Sequence, residues 1–153
     1  MFYKGSKKGF SLIELMVVIA IIALLSMISI PHFLKFLSKS KRTEAYVQLR
    51  ALYLEEKAYF SEHGAYTNII GDQGLSFKPD GALLYTYGFA GTAGKNYILG
   101  TLNTPASALK DTKVSGNSFV IAAAGDIDND GNPDVLTIDQ TGTIKIVQDD
   151  LTQ

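Results

Sequence analysis

The stretch GDIDNDGNPD, residues 125–134, holds the densest set of metal-capable side chains in the sequence. Asp126, Asp128 and Asp130 alternate, Gly131 follows, and Asn132 and Asp134 close the run. In a D-x-D-x-D-G-x-x-D loop the alternate carboxylates converge on one centre. The glycine permits the sharp turn, and hard oxygen donors suit Ca²⁺. The expected ligand set is Asp126, Asp128, Asp130 and Asp134, with Asn132 adding its backbone carbonyl. The twelfth position is Thr137, where an EF-hand places a bidentate Glu. The flanks read as strands rather than helices. The expectation is therefore a β-associated calcium loop and not an EF-hand. The competing reading is an Asp-rich turn whose side chains cap backbone amides. Against it, four carboxylates in nine residues repel one another unless water or a cation neutralises them.

A second acid stands where acids are costly. Residues 10–30 are apolar except for Ser11, Glu14, Ser26 and Ser29. As a helix these residues span about 30 Å, the thickness of a bilayer's hydrocarbon core. The run is longer than the apolar region of a secretory signal, and no small-residue cleavage site follows it. A retained membrane helix is expected. An ionised carboxylate deep in lipid costs at least a few kcal/mol. Glu14 lies near the helix start, where the dipole favours an anion by up to about 1 kcal/mol. The flanking lysines do not orient the span, because Lys4, Lys7 and Lys8 precede it while Lys35, Lys39, Lys41 and Arg42 follow it.

The run KKGFSLIELMVVIAIIALL, residues 7–25, resembles the N-terminus of type IV prepilins and type II secretion pseudopilins. It combines a basic leader, Gly-Phe, a Glu at set spacing and a long apolar run. The resemblance rests on roughly the first 35 residues of the sequence. It implies a leader, 1–9, that ends at Gly9 and is removed by a prepilin peptidase. Phe10 then becomes an N-methylated terminus, and Glu14 stands fifth in the processed chain. It also implies a cytoplasmic leader, an exported C-terminal domain, an inner-membrane assembly platform and a homopolymer built through the N-terminal helices. In such a polymer the Phe10 amine of one subunit would pair with Glu14 of a neighbour. That pairing would offset two desolvation penalties and set the axial stagger. The family commonly has a proline at the place of Pro31, where the helix bends or melts on assembly. The alternative is a membrane helix that ends at Pro31, with a separate helix beginning there. Some major pseudopilins bind calcium in a C-terminal loop, which supports the first reading of residues 125–134.

The elements that must position these residues follow from composition. Every Glu lies before residue 64 and every Asp after residue 71; residues 10–63 contain no Gly, whereas residues 64–153 contain 12. Glu propagates helices, and Asp and Gly favour caps and turns. The expected fold is α+β and pilin-like, with one long helix packed on a small antiparallel sheet. Its segments are a leader 1–9, a transmembrane and polymerisation helix 10–30, an amphipathic continuation 31–63 and an exported β-rich domain 64–153. Leu34, Leu37, Ala45, Leu49, Leu52 and Tyr59 form the stripe expected to face the sheet. Tyr46, Tyr53 and Phe60 recur at intervals of seven, which packing explains better than an electron-conducting stack. Residues 83–91, 95–102, 118–125, 134–139 and 143–148 read as strands. Residues 65–84 and 103–117 read as loops, and Gln140–Thr141–Gly142 suits a tight hairpin.

Several function classes fall away. The chain has no cysteine, which removes disulfides and thiol chemistry. His32 and His63 lie in no nucleophile or metal motif, and no enzyme activity is expected. Residues 64–153 hold five Lys, no Arg and ten Asp, a net charge of −5 that opposes nucleic-acid binding. The basic patch at Lys39, Lys41 and Arg42 suits lipid headgroups before assembly or acidic neighbours after it. The leading reading is a structural pilus subunit. The alternatives are a type II secretion major pseudopilin and a membrane-tethered binding module.

Overall fold

The computed structural model describes residues 9–151. A single helix, α1, runs over Leu12–His63. It begins where Ser11 and Glu14 satisfy each other's backbone amides. It ends at Gly64, whose φ of 72° is open to glycine at no steric cost and whose N–H reaches Phe60 O at 2.8 Å. Pro31 lies inside α1, so the alternative of two separate helices is not what the chain forms. Its missing N–H removes one rung of the helical ladder there.

Two compact units divide within α1, the first ending at Phe36 and the second beginning at Leu37. The amphipathic half of the helix thus belongs with the sheet, and the boundary lies a few residues beyond Pro31. In the first unit the apolar side chains, among them Ile13, Val17, Ile21, Leu24, Ile28 and Phe33, are exposed. This helix is long and apolar enough to cross a membrane.

In the second unit α1 buries Ser38, Arg42, Ala45, Leu49, Leu52 and Glu56. These six alternate steps of four and three, so one face meets the sheet. Of the expected stripe, Ala45, Leu49 and Leu52 are buried, Tyr59 is half-buried, and Leu34 and Leu37 are exposed. The sheet has six antiparallel strands: β1 (Thr86–Gly88), β2 (Tyr97–Ile98), β3 (Lys113–Ser115), β4 (Ser118–Gly125), β5 (Asp134–Asp139) and β6 (Ile144–Gln148). Their order is β2-β1-β4-β5-β6, and β3 pairs with the start of β4. Leu49 and Leu52 share one core with Tyr85, Tyr87, Phe119, Ile121, Leu136 and Ile138. Each large side chain so buried contributes about 1.5–3 kcal/mol of transfer free energy. Tyr53 and Tyr66 pack on Phe119 with ring centroids 6.2 and 4.8 Å apart.

Three local expectations are revised. The strands expected at 83–91 and 95–102 shrink to β1 and β2, because Gly88 and Gly94, with φ of 137° and 70°, turn the chain. The segment 103–117 is not simply a polar loop. It carries β3 and a short 3₁₀ turn, Ala106–Ala108. Ala108 and Leu109 cover Ala122, Ala124 and Val135 on the outer face of the sheet. The small side chains on β4 admit that close cover. The hairpin at Gln140–Thr141–Gly142 forms as expected, with Gly142 N–H on Asp139 O at 2.9 Å and φ 78° at Gly142.

Candidate functional site

The loop between β4 and β5 folds around its own acids. Asp126 accepts backbone N–H groups from Asn129 at 2.7 Å, Asp130 at 3.2 Å and Gly131 at 2.9 Å. Asp130 accepts the backbone N–H and the side-chain amide of Asn132. These bonds are local, because Asn129 and Gly131 take positive φ, 66° and 92°, and turn their amides inward. Asp126, Asp128 and Asp130 each place a carboxylate oxygen within 4.8 Å of the others. An ionised carboxylate has roughly four lone-pair sites, so amide capping and a cation are compatible.

Asp134 is placed elsewhere. It opens β5, is fully buried and is gripped by Arg42. Arg42 Nε donates to one carboxylate oxygen at 2.9 Å and an Nη to the other at 2.6 Å. Tyr85 Oη donates to Asp134 at 2.8 Å, and the Asp150 N–H approaches it at 3.4 Å. Arg42 also donates to Asp149. Burial would lower the Arg42 pKa, but Asp134 and Asp149 outweigh it and raise it. The Arg42 bond holds Asp149 below the usual carboxylate range. Burial, then Asp134, pushes the Tyr85 phenol up, which keeps it a donor. The structure therefore gathers Asp126, Asp128 and Asp130, while the side chain of Asp134 joins a buried ion pair and that of Asn132 serves Asp130.

Asp150 approaches the loop from the other end of the chain. Its Oδ2 accepts the N–H of Ile127, between Asp126 and Asp128, at 3.1 Å. Its Oδ1 is buried and has no hydrogen-bond partner among the described residues. Burial raises its pKa to about 6, opposed by the Ile127 bond and reinforced by Asp128, Asp130 and Asp126. Lys41 on α1 fastens the same loop by donating to Ile127 O at 2.6 Å. Loop spacing gave no hint of Asp150 or Arg42, which lie about twenty and ninety residues away in sequence.

At the other end, Ser11 N–H donates to a Glu14 carboxylate oxygen at 2.9 Å, and Glu14 N–H donates to Ser11 Oγ at 3.2 Å. This is a reciprocal capping box, and its S-x-x-E spacing was visible in the sequence. Gly9 and Phe10 are exposed beside it. The rest of the expected leader, 1–8, lies outside the described residues.

Comparison with known proteins bears on both ends. Residues 4–30 match the prokaryotic N-terminal methylation motif. Over 127 residues the chain is 38% identical to the type IV major pilin protein PilA of Myxococcus xanthus (strain DK1622). The match covers 83% of this chain and 57% of that relative.

Proposed function

From a chain that carries the prepilin-type methylation motif and is homologous to a type IV major pilin, we propose a structural subunit of a type IV pilus. The observation that carries this reading is the pairing of that motif with an exposed apolar helix on a sheet domain that has closed its own core. The precursor spans the membrane once through residues 10–30. A prepilin peptidase cuts after Gly9 and methylates Phe10, and an inner-membrane platform assembles the processed chains into an extracellular homopolymer. Lipids cover the apolar helix before assembly, and neighbouring helices cover it afterwards. The Phe10 amine meets Glu14 of an adjoining subunit. Homology to a pilin supports a structural role over a catalytic one. The same homology favours a pilus over a secretion pseudopilus.

Mass spectrometry of filaments tests the processing. The expected chain starts at methylated Phe10. An unprocessed chain in filaments, or no filaments at all in cells that express it, would overturn the reading.

A second reading concerns the acidic loop. We infer that Asp126, Asp128 and Asp130 hold Ca²⁺. Their oxygens are hard donors within one ion's reach of each other. The ion would supply charge neutralisation and cross-linking of the loop. Calorimetry with millimolar Ca²⁺ tests it, and absence of heat together with an unchanged melt in chelator refutes it.

A further inference from the structure

We propose that Glu56 is a proton-operated latch on the segment that follows α1: while the carboxyl carries its proton it keeps residues 64–67 on the helix, and opening of that segment is coupled to loss of the proton.

The placement of Glu56 is the ground for this. Its side chain is fully buried on the face of α1 that meets the sheet, one turn beyond Leu52. Oε2 accepts the Thr67 N–H at 3.3 Å, and Oε1 is buried without a hydrogen-bond partner among the described residues. A neutral acid tolerates such a site at modest cost, whereas an ionised one needs a cation or several donors. The candidates nearby are engaged elsewhere. Lys57, next in sequence, donates to Tyr66 Oη at 3.0 Å and lies over the rings of Tyr53 and Tyr66. The core phenols of Tyr85 and Tyr87 donate to Asp134 and Glu44. Burial, opposed by the Thr67 bond, pushes the Glu56 carboxyl up to about 7.

The segment on Glu56 has few other ties. Gly64, with φ 72° and open space around its Cα, gives it a pivot at the end of α1. Downstream the chain is fixed where the Asn96 side-chain amide donates to Asn68 O at 2.8 Å and Ile70 N–H donates to Lys95 O at 2.7 Å. Between those points Tyr66 N–H reaches Gly116 O at 3.4 Å, and Thr67 N–H goes to Glu56. The Tyr66 ring rests on Phe60 and Phe119, with centroids 4.5 and 4.8 Å apart. Lifting residues 64–67 therefore breaks a long backbone bond and the Tyr66 contacts, hydrates a carboxyl and leaves every strand paired.

The direction of the coupling follows. In the open form Glu56 is hydrated and titrates near its ordinary 4.5, and in the closed form near 7. Between these values opening releases a proton, so each pH unit favours the open form by about tenfold. Above about 7 the closed form is itself charged and the gain levels off. The chain thus presents Tyr66 and Thr67 to a partner more readily in neutral medium than in acid.

Hydrogen exchange on the full-length chain in detergent micelles tests the latch, with rates corrected for the intrinsic effect of pH. The expected result in wild type is that protection of residues 64–67 falls by about tenfold per pH unit from pH 5 to 7 and then levels off. Residues of β4 and β5 keep their protection over the same range. In Glu56→Gln, which still accepts the Thr67 amide but does not titrate, protection of 64–67 is independent of pH. Flat protection of 64–67 in wild type overturns the proposal whether or not the variant folds. A fall shared equally by β4 and β5 also overturns it, because opening is then global. So does a fall in Glu56→Gln equal to that in wild type, because another group is then the one that titrates.

Discussion

Glu14 stands in two relationships that two substitutions can separate. One is observed, the capping box with Ser11. The other is the proposed pairing with the Phe10 amine of a neighbour. Glu14→Gln keeps the geometry of the cap, since Gln serves at this position too, and removes the charge. Glu14→Ala removes both. If charge pairing sets the filament, both variants still insert in the membrane and neither makes normal filaments by electron microscopy. If Gln restores filaments, the cap was the contribution and the pairing idea fails. Glu56 offers a second single-residue prediction. It is fully buried at the helix–sheet contact, with one oxygen on the Thr67 N–H and the other without a partner among the described residues. Burial raises its pKa to about 7, against a partial opposing effect of the Thr67 bond. Between the unfolded value of 4.5 and about 7 the unfolded chain sheds this proton and the folded chain keeps it. Stability therefore falls as pH rises across that window, by on the order of 2 kcal/mol, and levels off above it. Glu56→Gln should flatten this slope in melts recorded from pH 4.5 to 8. Equal slopes in variant and wild type would refute the assignment.

At the scale of elements, the contact between α1 and the sheet has an apolar centre and polar ends. Ala45, Leu49 and Leu52 fill the middle, with Arg42 below and Glu56 above in chain order. Glu44 adds a side contact, accepting Leu84 N–H at 2.9 Å and the Tyr87 hydroxyl at 3.0 Å. Removing Arg42 would leave Asp134 buried with no cation, so Arg42→Ala should lower stability by about 3–5 kcal/mol. Asp149→Asn, with its side chain 33% exposed, should cost under about 1 kcal/mol. Denaturant melts of the two variants decide the ranking, and equal losses would place the contribution in the Arg42–Asp149 pair rather than in the buried Asp134.

The elements themselves were largely readable. Absence of Gly from residues 10–63 foretold the helix, and β-branched runs foretold β4, β5 and β6. Three-residue β3 was not readable, because Lys113–Val114–Ser115 is too short for its alternation to stand out and forms only by pairing with β4. The Asp loop was legible as a local pattern. The withdrawal of Asp134 from it was not, because that depends on Arg42 arriving from a distant part of the chain.

At the scale of the molecule, the unit boundary at Phe36/Leu37 makes a direct prediction. Residues 37–153 contain the whole helix–sheet core, so that fragment should stay soluble without detergent and melt cooperatively, near the full-length transition. Aggregation or a broad, non-cooperative melt would show that the apolar residues before Leu37 belong to the folding unit. Circular dichroism and sedimentation would report either outcome. The alternation of polar ends and apolar middle along α1 also bears on traction. A pull along the axis tends to slide the rod past the sheet by whole turns, about 5.4 Å each. Sliding one way drives Arg42 into the slot of Ala45. Sliding the other way drives Glu56 into the slot of Leu52. The first step strands a charge, and the second an unpaired carboxyl group, in apolar surroundings, at a cost of several kcal/mol and about 1–3 kcal/mol respectively. The two side chains act as stops at opposite ends of a track, so tension along the part of α1 after Leu37 reaches the sheet without slipping.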